Sequence, residues 1–93
     1  MGQFIVLLTE KAASDISKHK KSGNKQAEKK IKQILEELKV HPYSGSGQPE
    51  QLKFSLQGYW SRRINQKDRM IYSVNENTVI VEVVSVMGHY SDK

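Results

Sequence analysis

Residues 49–72 read PEQLKFSLQGYWSRRINQKDRMIY. This stretch decides the fold, because its apolar residues recur with a period of 2 instead of the helical 3.6. Leu52, Phe54 and Leu56 alternate with Lys53 and Ser55, and Gln57-Gly58 offers a two-residue turn. From Tyr59 to Asn65 the pleat puts Trp60, Arg62 and Ile64 on one face and Tyr59, Ser61 and Arg63 on the other. Arg69–Val74 alternates again, with Met70, Tyr72 and Val74 opposite Arg69, Ile71 and Ser73. Strands joined by such short turns are antiparallel neighbours.

Downstream, Asn75-Glu76-Asn77 reads as a turn, and the β-branched run TVIVEVVSVM at 78–87 as a central, mostly buried strand. Upstream, HPYSGSGQP at 41–49 is loop, bounded by prolines and loosened by two glycines. Before it the period is helical. Ala27, Ile31, Ile34, Leu35 and Leu38 form one apolar stripe, and the helix is expected to stop at His41, ahead of Pro42. An earlier helix is expected from Glu10 to about Lys20, N-capped by Thr9, with Ala12, Ala13 and Ile16 inward. Ser22-Gly23-Asn24 separates the two as a helical hairpin. QFIVLL at 3–8 is long enough for one buried strand and too short for a helix. The order predicts an α+β fold: an N-terminal strand, a two-helix hairpin, then a mainly antiparallel sheet of about four further strands. The helices cover one face, and the other is left open for an anion.

With 93 residues the chain suits a single domain spanning 1–93. Fifteen Lys and Arg against ten Asp and Glu give a net charge of +5, which favours an anionic partner. There is no cysteine, so thiolate metal sites and disulfides are excluded, and His19, His41 and His89 lack metal-ligand spacing. No apolar run is long enough to span a bilayer as a helix, and the N-terminus lacks a signal-peptide pattern. The cytoplasm is the expected location, with no membrane partner.

The opening stretch supplies one carboxylate that follows a proline, Glu50, and five cations, Lys53, Arg62, Arg63, Lys67 and Arg69. Glu50 suits a general base, or else a surface carboxylate paired with Lys53. Guanidinium groups hold phosphate in bidentate fashion and stay charged throughout a reaction. Arg62 and Arg63 point to opposite faces, so at most one of them shares a face with the site. Lys53 fits either a phosphate contact or protection of a sheet edge. A histidine side chain changes charge near neutral pH, so His89 could protonate a leaving oxygen, while Tyr90 can stack on a base. The alternative for both is a frayed tail. His19 and His41 read as surface residues, and the lysines at 18, 20, 21, 25, 29, 30 and 32 as a solvated helix face.

Pro-Glu, Leu-Lys, Gly-aromatic-Trp-Ser-Arg-Arg-Ile and Arg-x-x-Tyr in this block, with a later His89-Tyr90 pair, resemble the Txe/YoeB toxins of bacterial toxin–antitoxin modules. These toxins lie within the RelE-like group. The match is dense from about His41 to Tyr90. The resemblance implies a ribosome-dependent endoribonuclease, an mRNA interferase that cuts messenger RNA in the A site of the 70S ribosome without a metal or cofactor. It implies Glu50 as general base, Arg69 as charge stabiliser, His89 as general acid and Tyr90 as substrate-orienting residue. Lys53, Arg62 and Arg63 are the candidate contacts to RNA phosphate, with Lys53 and Arg63 implied by the resemblance. The implied partners are a YefM-like antitoxin, mRNA, ribosomal RNA and a second copy in a homodimer. Asp68 stands where a histidine can precede the arginine, and Ser91-Asp92-Lys93 follow the His-Tyr pair. The competing readings are a non-catalytic RNA- or ribosome-binding module and an antitoxin-binding one. Glu50 with His89 separates catalysis from binding, because binding needs only the cations.

Overall fold

A computed structural model describes residues 3–53, 57–66 and 68–84. The element order is β1 (Ile5–Leu8), α1 (Glu10–Ser22), α2 (Lys25–Leu38), β2 (Glu50–Gln51), β3 (Tyr59–Arg63), β4 (Arg69–Asn75) and β5 (Thr78–Val83). This is the expected α+β architecture. The strands form one sheet in the order β1-β5-β4-β3-β2. β2, β3, β4 and β5 pair antiparallel in succession, and β1 closes the other edge parallel to β5. That parallel pairing is possible because the helical hairpin carries the chain back across the sheet.

Local chemistry fixes the helix ends. The Thr9 hydroxyl accepts from Ala12 N at 3.0 Å, satisfying one of the free N–H groups that open α1. Gly23 closes it in the left-handed region at φ 78, with its N–H on Lys20 O. Asn24 then caps α2 through Ala27 N at 3.0 Å. α2 ends at Leu38, three residues before His41. Its last turn loosens as Val40 N and His41 N both donate to Glu37 O.

One face of the sheet packs on the helices. Ala27, Ile31, Ile34 and Leu38 meet Ile64, Met70, Tyr72, Val79, Val81 and Val84, with Trp60 and Val74 at the margin. Each fully buried aliphatic side chain here contributes about 1.5–3 kcal/mol. On the opposite face, among the described residues, Ile71, Leu52 and Tyr59 form a small apolar cluster.

Three expectations are corrected. QFIVLL is not a buried strand: β1 is an edge, with Ile5, Leu7 and Leu8 exposed while Phe4 and Val6 pack on the core. In α1 Ala12 and Ile16 face the core as expected, joined by Asp15 and His19, but Ala13 is exposed. His19 is therefore buried instead of superficial, whereas His41 is exposed. Leu52 N pairs with Tyr59 O at 2.9 Å, while Gln57 and Gly58 do form a turn. The expected extension of the last strand to Met87 lies outside the described residues beyond Val84, as do Phe54 and Leu56.

Candidate active site

The register across β2, β3 and β4 shows which side chains can meet. Glu50 lies opposite Ser61, and Ser61 opposite Ile71. Arg63 lies opposite Arg69. All five share the face turned away from the helices, because their neighbours Trp60, Tyr72 and Met70 belong to the helix-side core. Glu50 Oε1 comes within 3.9 Å of Arg69 Nη1, an ion pair on this face. Both side chains keep solvent contact, Glu50 more than Arg69. An exposed pair this long contributes little to stability, about 0–1 kcal/mol. It sets a carboxylate beside a guanidinium on the open face.

Arg63 is exposed at the end of β3. Its backbone N–H donates to Gly47 O at 2.7 Å, tying the strand to the loop that leads into β2. Lys53 follows β2, exposed, and with Gln51, Leu52, Gln57 and Gly58 it lines an open recess of about 370 Å³. Asp68 is buried at the turn between β3 and β4, where its backbone accepts from Ile64 N and its N–H donates to Asn65 Oδ1. His89 and Tyr90 lie outside the described residues, as does Lys67.

Arg62 has a different task from the phosphate contact expected of it. It is fully buried. Its five N–H groups all find acceptors: Nε donates to Tyr72 Oη at 3.1 Å, Nη1 to Glu37 Oε1 at 2.8 Å and to Ser46 O at 3.3 Å, and Nη2 to His41 O and Ser44 O. A buried cation costs several kcal/mol of desolvation, and only such complete satisfaction offsets it. No donor is left for RNA. Tyr72 Oη donates onward to Pro42 O at 2.7 Å, so β3 and β4 together hold the 41–46 backbone. Burial pushes the Tyr72 hydroxyl above its ordinary pKa against the pull of Arg62. Glu37 also accepts from Ser46 N and Ser46 Oγ, both at 2.7 Å. Burial alone would lift its carboxyl, but the Ser46 and Arg62 hydrogen bonds outweigh that and hold it below the usual carboxylate value.

The match to known families agrees with this arrangement. Residues 8–90 match the family model described as YoeB-like toxin of bacterial type II toxin-antitoxin system. The chain belongs to that family. Among its relatives, the toxin YoeB of Escherichia coli O6:H1 is 38% identical over 58 residues, covering 62% of this chain and 69% of the relative. A YoeB dimer from Staphylococcus aureus superposes with a TM-score of 0.77 at 31% identity, covering 95% of this chain and 99% of that one. A YoeB–YefM complex from the same organism gives 0.76 at 32% identity, again over 95% and 99%.

Two residues of this YoeB-like toxin that bear on the site carried no role in the sequence reading. Glu37 is one. The other is Asp15, buried on α1, which accepts from Val84 N at 3.0 Å and from Lys11 Nζ at 2.9 Å. With Thr9, whose N–H and hydroxyl bond Val81 O and Glu82 O, it holds the outgoing end of β5 five residues before His89. A carboxylate at an inward position of an amphipathic helix was the available signal. His19 Nε2 and Ser61 Oγ are buried without a hydrogen-bond partner among the described residues.

Proposed function

We propose that this toxin is a ribosome-dependent mRNA endoribonuclease working by metal-free acid–base chemistry. The observation that carries the reading is the approach of Glu50 to Arg69 on the open face, with Arg63 beside them. Glu50 takes the proton of an RNA 2′-hydroxyl. The freed oxygen attacks the adjacent phosphorus, the bond to the 5′-oxygen breaks, and His89 gives that oxygen its proton. The products are a 2′,3′-cyclic phosphate and a 5′-hydroxyl. Because the nucleophile and the phosphate belong to one nucleotide, in-line positioning supplies much of the rate. Arg69 stabilises the charge that grows on the phosphorane oxygens. Arg63 and Lys53 hold neighbouring phosphates, and Tyr90 orients the substrate. The roles of His89 and Tyr90 rest on their place in the family motif. Arg62 takes no part in RNA contact.

The partners that follow are mRNA and ribosomal RNA in the 70S ribosome, a YefM-type antitoxin and a second copy of the chain. The S. aureus YoeB complex with YefM and the YoeB dimer support the last two. No helix among the described residues is long and apolar enough to cross a membrane, and the ribosomal substrate puts the protein in the cytoplasm.

The test is cleavage of mRNA on programmed ribosomes, with analysis of the product ends. Wild-type protein yields 2′,3′-cyclic phosphate and 5′-hydroxyl ends, with a bell-shaped pH profile, since the base must be ionised and the acid protonated. Glu50→Ala and His89→Ala remain folded and bind ribosomes, yet do not cut. Undiminished cutting by either folded variant removes that residue from the mechanism.

A further inference from the structure

Two motif residues, Arg62 and Tyr72, have no step in the reaction just described, although they anchor a buried network. We infer that Arg62, with Glu37 as its counter-ion, is a positioning residue for Glu50. The inference rests on Glu50 being the base. Glu50 stands in a two-residue strand at the sheet edge, and so short a strand does not fix its own place. What locates it is the backbone on either side. After it, Leu52 N bonds Tyr59 O; before it, Arg63 N bonds Gly47 O. Gly47 ends the loop whose carbonyls at His41, Ser44 and Ser46 converge on the Arg62 guanidinium.

That loop has no regular structure of its own. Glu37 binds both the N–H and the hydroxyl of Ser46, and Tyr72 fixes Pro42. From Ser46 the chain reaches Glu50 in four residues, so a shift at the clamp passes to the carboxylate. Gly47 transmits it tightly. At φ 82 it lies so close to β3 that a Cβ there would come within 2.8 Å of Arg63 O. The clamp thus fixes the separation of Glu50 from Arg69 from the far side of the sheet. Lysine cannot replace it, because an ammonium has three donors and no planar fork to gather carbonyls on two sides.

Single-turnover cleavage on programmed ribosomes tests this with the full chain, comparing wild type, Arg62→Lys, Glu37→Gln and Glu50→Ala. Ribosome affinity is measured in parallel at two salt concentrations. Arg62→Lys is expected to lower the cleavage rate constant by about 10–100-fold, since displacement of a catalytic group by an ångström has that effect. Glu37→Gln, which keeps the shape, lowers it by less. Ribosome affinity and its salt dependence stay at the wild-type values. A purely structural role would reduce the amplitude, as fewer molecules fold, and leave the rate constant intact; that result overturns the inference. So does a weaker, less salt-sensitive affinity for Arg62→Lys, which marks a phosphate contact. If Arg62→Lys does not fold, Glu37→Gln decides, and a wild-type rate constant for it is contrary. Wild-type protein that fails to cut, or Glu50→Ala that cuts fully, breaks the underlying functional reading instead.

Discussion

Arg62 and Arg63 are neighbours on β3, and the pleat sends them into opposite environments. Arg62 is fully buried beneath the loop that follows α2, with every N–H engaged. Arg63 is exposed on the open face, opposite Arg69. The same side chain is thus a bolt on one side of the sheet and, in the proposed mechanism, a phosphate grip on the other. Residue type alone does not say which. The difference comes from a partner 25 positions away, Glu37, and from the loop carbonyls of His41, Ser44 and Ser46.

Stability measurements should separate the two most widely. Arg62→Met leaves Glu37 and three loop carbonyls without their donor, a loss of about 3–5 kcal/mol in urea unfolding, whereas Arg63→Met changes stability by less than about 0.5 kcal/mol. Equal effects would erase the contrast. Gly47→Ala, forced to a positive φ against the β3 backbone, is expected to cost about 1–3 kcal/mol. Tyr72→Phe removes the hydroxyl between Arg62 and Pro42 and should cost about 1–3 kcal/mol, the lower end if water replaces it.

The clamp also has a pH signature. Glu37 is held below its unfolded value of 4.5, so the folded protein binds its proton less readily than the unfolded chain. Its contribution is complete above that value and is lost as pH falls through the lower, folded one. Urea midpoints of the wild type should therefore decline on acidification more steeply than those of Glu37→Gln. The smallest effect belongs to the open face. Arg63→Ala should reduce the salt slope of RNA affinity by about one and leave folding unchanged. A slope unchanged there, but reduced in Arg62→Lys, would invert the comparison.

Much of this was legible in the sequence. The stripe from Ala27 to Leu38, the caps at Thr9 and Asn24, and the alternation from Tyr59 to Val74 are local patterns, and local physics sets them. They correctly sorted Arg62 with Trp60 and Ile64, and Arg63 with Ser61. What the alternation did not reveal is that the Arg62 face is sealed by 41–46, since that depends on hydrogen bonds spanning 16 to 30 residues. β1 was misread for a related reason. A continuous apolar run records side chains, whereas edge position depends on strand order, which here places β5 inside it. Asp15 and His19 were missed because their burial comes from the elements that α1 packs against. Glu50, Arg63 and Arg69, singled out by motif, share one face, Arg63 opposite Arg69 and Glu50 opposite Ser61. His89 and Tyr90 lie outside the described residues.

The most direct measurement is the single-turnover cleavage rate of Glu50→Gln on programmed ribosomes beside the wild type, with ribosome affinity measured on the same samples. Glutamine keeps the shape and reach of the side chain but takes up no proton. The account predicts equal affinity and a rate constant lower by about 100–10,000-fold, the usual contribution of a general base. A Glu50→Gln protein that cuts at the wild-type rate would contradict it.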